Sequence, residues 1–237
     1  MTISNDIPSA SRIVVGGNNR DINDYYHDQG WTDGLPIIPP TEDLVLEMIE
    51  ASSLGPMESL GTMPPVNGTV TVEKIAVNSV MAGCKPDYFP VVIASVKAVL
   101  QPQFNVAAIT TTTGGAAPVI VVSGPIADHL GIHSGTAVFG SGHQANATIG
   151  RALRLTMRNM GGAKVSTMEK STHGWPGKYT MCFAEATERA AYGASIFKGK
   201  NDKNAADQAA VDEMRKELNK INMRGKIVIG EGEMDEA

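Results

Sequence analysis

Residues 106–127 run for twenty-two positions without a charged side chain, and the residues that interrupt them decide what the chain can be. A membrane-spanning helix needs about 20 consecutive, predominantly apolar residues. Here Thr110, Thr111, Thr112, Thr113, Gly114, Gly115 and Pro118 break the run in its middle. The reading is therefore two short buried strands, 106–109 and 119–122, with a Thr/Gly/Pro connection. Strands apolar on both sides suit a sheet covered on both faces. A further short strand is expected at 137–139 and another at 179–183.

Helical patterns flank these strands. Thr41 reads as an N-cap, with Glu42 and Asp43 in the first turn, for a helix to about Ala51. A second helix starts after Thr71, carries Val72, Ile75, Ala76, Ser79 and Val80 on one face, and ends at Gly83. Pro86 and Pro90 mark the start of a third, which continues to about Leu100. A fourth covers about 146–159 and closes at Gly161 and Gly162. Alternating strands and helices predict an α/β fold, a layered sheet with flanking helices, over residues 22–184. Residues 1–21 are polar and Gly/Asn-rich and are expected to be mobile. Residues 30–41, GWTDGLPIIPPT, carry three prolines and two glycines and should be extended and fixed in shape.

The chain has 237 residues, 42% of them hydrophobic, enough for a substantial core. A net charge of -5 argues against a nucleic-acid surface, which needs clustered Lys and Arg. Two cysteines, Cys84 and Cys182, make neither a disulfide framework nor a zinc cluster. The N-terminus lacks a basic-then-apolar signal pattern, so the expectation is a cytoplasmic protein with no membrane or nucleic-acid partner; homo-oligomerisation is left open.

Cys84 lies in Ala82-Gly83-Cys84-Lys85-Pro86, between two helices. A thiol at a helix N-terminus beside Lys85 would be a stabilised, nucleophilic thiolate. The competing reading is a small buried apolar residue, which is also the reading of Cys182. Gly140, Ser141 and Gly142, followed by His143, form a glycine-rich loop before a helix, where backbone N–H groups can hold a small anion or substrate carboxylate. A tight structural turn explains the same residues. His143 is the acid/base candidate, since imidazole titrates near neutrality. Arg151, Arg154 and Arg158 follow along one side of the helix; such a stripe is usually a solvated face, but Arg151 lies within reach of an anion at the loop. The partner expected for this unit is a small-molecule or anionic substrate.

The last fifty residues have a different character. Asp202-Lys203-Asn204-Ala205-Ala206-Asp207, the helix beginning Ala210-Val211-Asp212-Glu213-Met214-Arg215, and Gly230-Glu231-Gly232-Glu233-Met234-Asp235-Glu236-Ala237 closely resemble the N-terminal segment of class II fructose-1,6-bisphosphatases. The resemblance implies metal-dependent hydrolysis of a sugar phosphate, with Asp207 and Glu231 as ligands of Mg²⁺ or Mn²⁺. It also implies a helix–helix–strand appendage over 185–237, ending in a strand at 226–229. No DP-[acid]-GT element of that family occurs, so phosphatase chemistry is expected to be absent from this chain alone. Residues 22–184 resemble an uncharacterised bacterial family associated with UGSC-motif selenoproteins, through GWTDGLPIIPPT, VNSVMAGCKPDYFPVV, ATIGRALRLTMRNMGG and GWPGKYTMCFAE, although no UGSC motif occurs. The two patterns meet near Ala186 and both stop short there, as a natural fusion or an assembly chimera would each produce.

Overall fold

The computed structural model describes residues 10–185, Ser195 and residues 203–218. The chain divides into two compact units, Met1–His133 with Phe139–Ala184, and Ser134–Val138 with Glu185–Ala237. Helices and small sheets combine in an α/β fold.

Two helices form the centre of the larger unit. Helix α3 (Val72–Ala82) packs most extensively on α7 (Gln144–Gly161), with α2 (Glu42–Glu50) and α4 (Phe89–Val99) completing the layer. Fully buried Val72, Ile75 and Ala76 of α3 and Ile149, Ala152 and Leu155 of α7 belong to one hydrophobic core. Burial of a side chain the size of Ile or Leu contributes about 1.5–3 kcal/mol. Two hydroxyls also lie in this core, and each is satisfied within its own helix: Ser79 Oγ donates to the Ile75 carbonyl at 2.8 Å and Thr156 Oγ1 to that of Ala152 at 2.9 Å.

Helix α3 begins and ends where its sequence directs. Thr71 Oγ1 accepts the Lys74 N–H as the N-cap. At the other end Gly83 takes a left-handed conformation, φ 87°, so that Gly83 N–H reaches Val80 O and Cys84 N–H reaches Ser79 O. That double closure is a Schellman motif, and glycine supplies the positive φ without steric cost. Earlier, α1 (Asn19–Asp28) starts at a capping box in which Asn18 and Asp21 satisfy each other's backbone. Helix α2 follows Thr41 as expected, though the Thr41 side chain makes no capping hydrogen bond. Residues 30–41 form neither helix nor strand, in keeping with their Gly/Pro content.

Strands β1 (Ser59–Met63) and β2 (Gly68–Thr71) pair antiparallel, with Thr62 opposite Thr69 and Met63 opposite Gly68. They dock on the end of α7, where a Cβ on Gly161 would lie 2.8 Å from the Pro64 carbonyl oxygen. The second sheet joins β3 (Ile120–Ser123) to β4 (Cys182–Glu185), close to two of the expected strands. Helix α6 (Pro125–Leu130) follows β3 directly.

Two expected strands are not strands. Residues 106–109 open α5 (Val106–Thr111), entered through a 3-10 turn at Pro102–Phe104 and Asn105 at φ 53°. Val106 and Thr110 are buried four residues apart, a helical spacing, and Ala107 and Ala108 favour helix. An unbroken apolar run of this length does not separate a buried helix from a buried strand. Residues 136–139 form a turn in which Ala137 has φ 58°.

In the smaller unit α8 spans Lys203–Leu218, over most of the helix read from the sequence. Val211, one of its expected apolar residues, is 38% exposed. The expected strand at 226–229 lies outside the described residues.

Candidate active site at the two ends of helix α7

The N-terminal end of α7 gathers most of the residues singled out by sequence. His143 is its N-cap residue, and its carbonyl accepts the Ala147 N–H at 3.1 Å. Gly140, Ser141 and Gly142 precede it as an exposed loop, with Gly142 at φ 112°. Cys84 approaches the same end. Gln144 Nε2 donates to the Gly83 carbonyl at 3.5 Å, and a Cβ on Gly83 would lie 3.6 Å from the Thr148 methyl group. The His143 ring stacks on that of His133, centroids 3.7 Å apart and planes 8° from parallel. The backbone of His133 is in turn gripped by buried Asn146, whose Oδ1 accepts the His133 N–H at 2.8 Å while its Nδ2 donates to the His133 carbonyl at 3.0 Å. The pairing of His133 with His143 is not legible in a ten-residue spacing that matches no motif.

The thiol differs from the expected thiolate. Burial pushes the Cys84 pKa up to about 12, against the opposing hydrogen bond from Thr148 and the more distant Arg151 charge. The helix dipole expected to activate it is displaced: a 3-10 turn at Pro86–Tyr88 intervenes before α4. Burial likewise pushes Cys182 to about 12. A rise of this size leaves roughly a thousandfold less thiolate than in an ordinary thiol. In the folded protein near neutral pH, iodoacetamide should therefore label both cysteines far more slowly than in the denatured chain, half-buried Cys84 ahead of buried Cys182. Peptide mass spectrometry over a time course reads this directly; labelling of native Cys84 at the denatured rate would restore the nucleophile.

The arginine stripe is not a solvated face. Arg151 Nε and Nη2 donate to the two carboxylate oxygens of Asp33, both at 2.8 Å, and Nη2 also reaches the Leu35 and Pro36 carbonyls. Both side chains of this pair are only 13% exposed. Arg151 thus fastens residues 33–36 to α7, and two of its donor nitrogens, Nε and Nη2, are committed to this clamp. Arg154 Nε donates to the Lys178 carbonyl at 2.8 Å, and its Nη2 lies 3.8 Å from Glu169 Oε2. Burial acts to raise the Glu169 pKa, but hydrogen bonds from Lys178 and Ser171 outweigh it and hold the carboxyl below its ordinary value. Arg158 lies one turn further along α7. Beside this cluster is a cavity of about 380 Å³, lined in part by Arg154, Arg158, Glu169, His173, Trp175 and Lys178. A larger one, about 620 Å³, lies against Tyr26, Trp31, Val77, Met81 and Asn159. Neither is lined by Cys84 or His143.

Among the described residues no group of three or more His, Cys, Asp or Glu side chains is placed to hold a metal ion. Asp207 falls within α8, but its side chain and the whole of Glu231 lie outside the described residues. No single described helix is long and apolar enough to cross a membrane.

Residues 177–237 match the family described as bacterial fructose-1,6-bisphosphatase, glpX-encoded. The similar curated proteins are named D-fructose 1,6-bisphosphatase class 2/sedoheptulose 1,7-bisphosphatase. That of Thermosynechococcus vestitus is 62% identical over 53 residues, and those of Microcystis aeruginosa and Synechocystis are 58% and 57% identical over the same length. Each alignment covers 22% of this chain and 15% of the relative. The C-terminal resemblance therefore holds for a segment, while the resemblance of residues 22–184 to a selenoprotein-associated family finds no support in these comparisons. No solved structure matches.

Proposed function

We propose that the larger unit is a small-molecule, enzyme-like α/β domain whose site lies at the first turn of α7. The observation that carries this reading is the approach of the Gly83–Cys84 turn, through the Gln144 Nε2 to Gly83 carbonyl contact, to the helix end capped by His143 and stacked by His133. His143 serves as the general acid/base, with His133 fixing its ring plane. The exposed Gly140–Ser141–Gly142 backbone offers N–H donors to an anionic group of the substrate. A neutral Cys84 acts as a hydrogen-bonding wall of the site. Thermal-shift screening of the full chain against small metabolites tests the assignment: stabilisation by a ligand that disappears in His143→Gln supports it, and the lack of any ligand response that depends on His143 or Cys84 overturns it.

A second reading is favoured by the match of residues 177–237: membership of the class II fructose-1,6-bisphosphatases, cytoplasmic enzymes that hydrolyse a sugar phosphate. Asp207 and Glu231 would supply carboxylate oxygens to Mg²⁺ or Mn²⁺, the donors a hard cation prefers, and the metal would polarise the phosphoryl group. Two carboxylates fall well short of the roughly six oxygen ligands such ions take, and substrate must also be oriented beside them. The expected result for the chain of 237 residues is that it releases no phosphate from fructose 1,6-bisphosphate with either metal, measured against an Asp207→Asn, Glu231→Gln double variant. Release above that baseline would make the second reading the first.

A further inference from the structure

The cavity along the second half of α7 has an electrostatic imbalance that the first turn of the helix does not explain. Three cations, Arg154, Arg158 and Lys178, and two carboxylates, Asp33 and Glu169, line the cavity; with Asp33 neutralised by Arg151, which lies outside the lining, two positive charges remain in excess in a chain whose net charge is -5. Asp33 is taken by Arg151 in a bidentate pair. Glu169 receives Lys178 at 2.8 Å and Ser171, with Arg154 at longer range. Arg158 has no carboxylate within ion-pairing distance among the described residues, and its Nε is buried with no hydrogen-bond partner. Burial lowers its pKa, with Asp33 a partial counterweight.

A guanidinium N–H removed from water without an acceptor costs the fold on the order of 1–3 kcal/mol, more for a charged group. Folded proteins keep such groups rarely, and each calls for an acceptor. Here the Arg158 side chain that carries it lines an open cavity of about 380 Å³ that also has an aromatic wall. That wall is fixed: Trp175 Nε1 donates to the Gly115 carbonyl at 2.6 Å, and the ring lies over Gly177, where any Cβ would meet it.

We propose that this cavity binds a small, doubly charged organic anion, a phosphate monoester or a dicarboxylate, with Arg158 as its principal counter-charge and Trp175 against its body. Two excess cations match two negative charges, and the planar fork of arginine suits either oxyanion. Lys178 completes the approach by sharing its ammonium between Glu169 and the ligand. On a helix rising 1.5 Å per residue, Arg158 lies roughly 20 Å from His143, so this site is separate from the one at the first turn and does not rest on it.

Isothermal titration of the full chain with inorganic phosphate and, separately, with succinate tests the proposal. Saturable millimolar binding of at least one probe is expected, and which one binds distinguishes the phosphate from the dicarboxylate class. Arg158→Met should weaken that binding by at least about tenfold. It should also keep or raise thermal stability without ligand, because it removes an unpartnered buried donor while preserving the aliphatic stem. Lys178→Met supplies a second, independent loss of affinity should the first variant fold poorly. His143→Gln should bind the probe as the parent does. No saturable binding of either probe overturns the proposal, as does affinity unchanged in both Arg158→Met and Lys178→Met.

Discussion

Replacing Arg151 by alanine should destabilise the larger unit by about 3–5 kcal/mol, the cost typical of removing one partner from a buried ion pair. The guanidinium makes a bidentate contact with Asp33 and also serves two backbone carbonyls, at Leu35 and Pro36. Its loss leaves the Asp33 carboxylate, with a side chain only 13% exposed, without its ion-pair partner, and it frees residues 33–36 from α7. Urea denaturation measures the effect as a lower midpoint. The double variant Asp33→Asn, Arg151→Met should recover much of the loss, because the unpaired charge is then gone. A loss below about 1 kcal/mol in Arg151→Ala would mean that the pair behaves as a surface contact.

The same clamp shows how far the sequence can be read. Helices α3, α4 and α7 are legible because their ends are chemically marked: Thr71 and Gly83 bracket α3, Pro90 falls in the first turn of α4, and Gly162 closes α7 in a left-handed conformation. The extended character of residues 30–41 follows from their prolines. What they bind does not, because the Asp33–Arg151 contact spans 118 residues and local periodicity carries no information about it. For that reason the Arg151, Arg154 and Arg158 stripe reads as a solvated face although two of its members are buried in a polar network.

The proposed site is legible in part. His143 and Cys84 stand out as residue types beside helix ends, and the structure places His143 at the start of α7 and the Gly83–Cys84 turn against Gln144 of its first turn. The protonation state of Cys84 escapes the sequence, since the dipole and Lys85 are local features visible there, whereas burial, the dominant cause of its raised pKa, is a property of the packed unit. The failure at residues 106–109 is of another kind: a four-residue apolar run does not by itself separate a buried strand from a buried helix, and here the chain enters a helix through Pro102 and left-handed Asn105. For the C-terminal segment the sequence is the better guide. Its resemblance rests on dense identity over 53 residues.

Gly150→Ala should lower stability even though it improves helix propensity. Gly150 sits inside α7, where alanine is intrinsically favoured over glycine by about 1 kcal/mol. Against this, a Cβ at that position would overlap Thr180 Oγ1 and lie 2.6 Å from the backbone nitrogen of Met181. Overpacking typically costs about 1–3 kcal/mol, and the upper part of that range applies when the obstructing atom is backbone. The segment cannot withdraw freely: Thr180 Oγ1 donates to the Ala147 carbonyl at 2.8 Å, and the Met181 carbonyl accepts the Ile120 N–H at 2.9 Å, holding the edge of β3. The expected net effect is a fall in Tm of a few degrees, on a scale of roughly 2–4 °C per kcal/mol for a unit of this size. Thr180→Ala in the same background should restore part of the loss by relieving the side-chain overlap while leaving that with Met181. The proposed site would be affected too, because Gly150 lies between the His143 end of α7 and the Arg151 clamp, and backbone displaced there would disturb both. An increase in Tm for Gly150→Ala would show that the close approach of residues 180 and 181 to α7 is not maintained in solution.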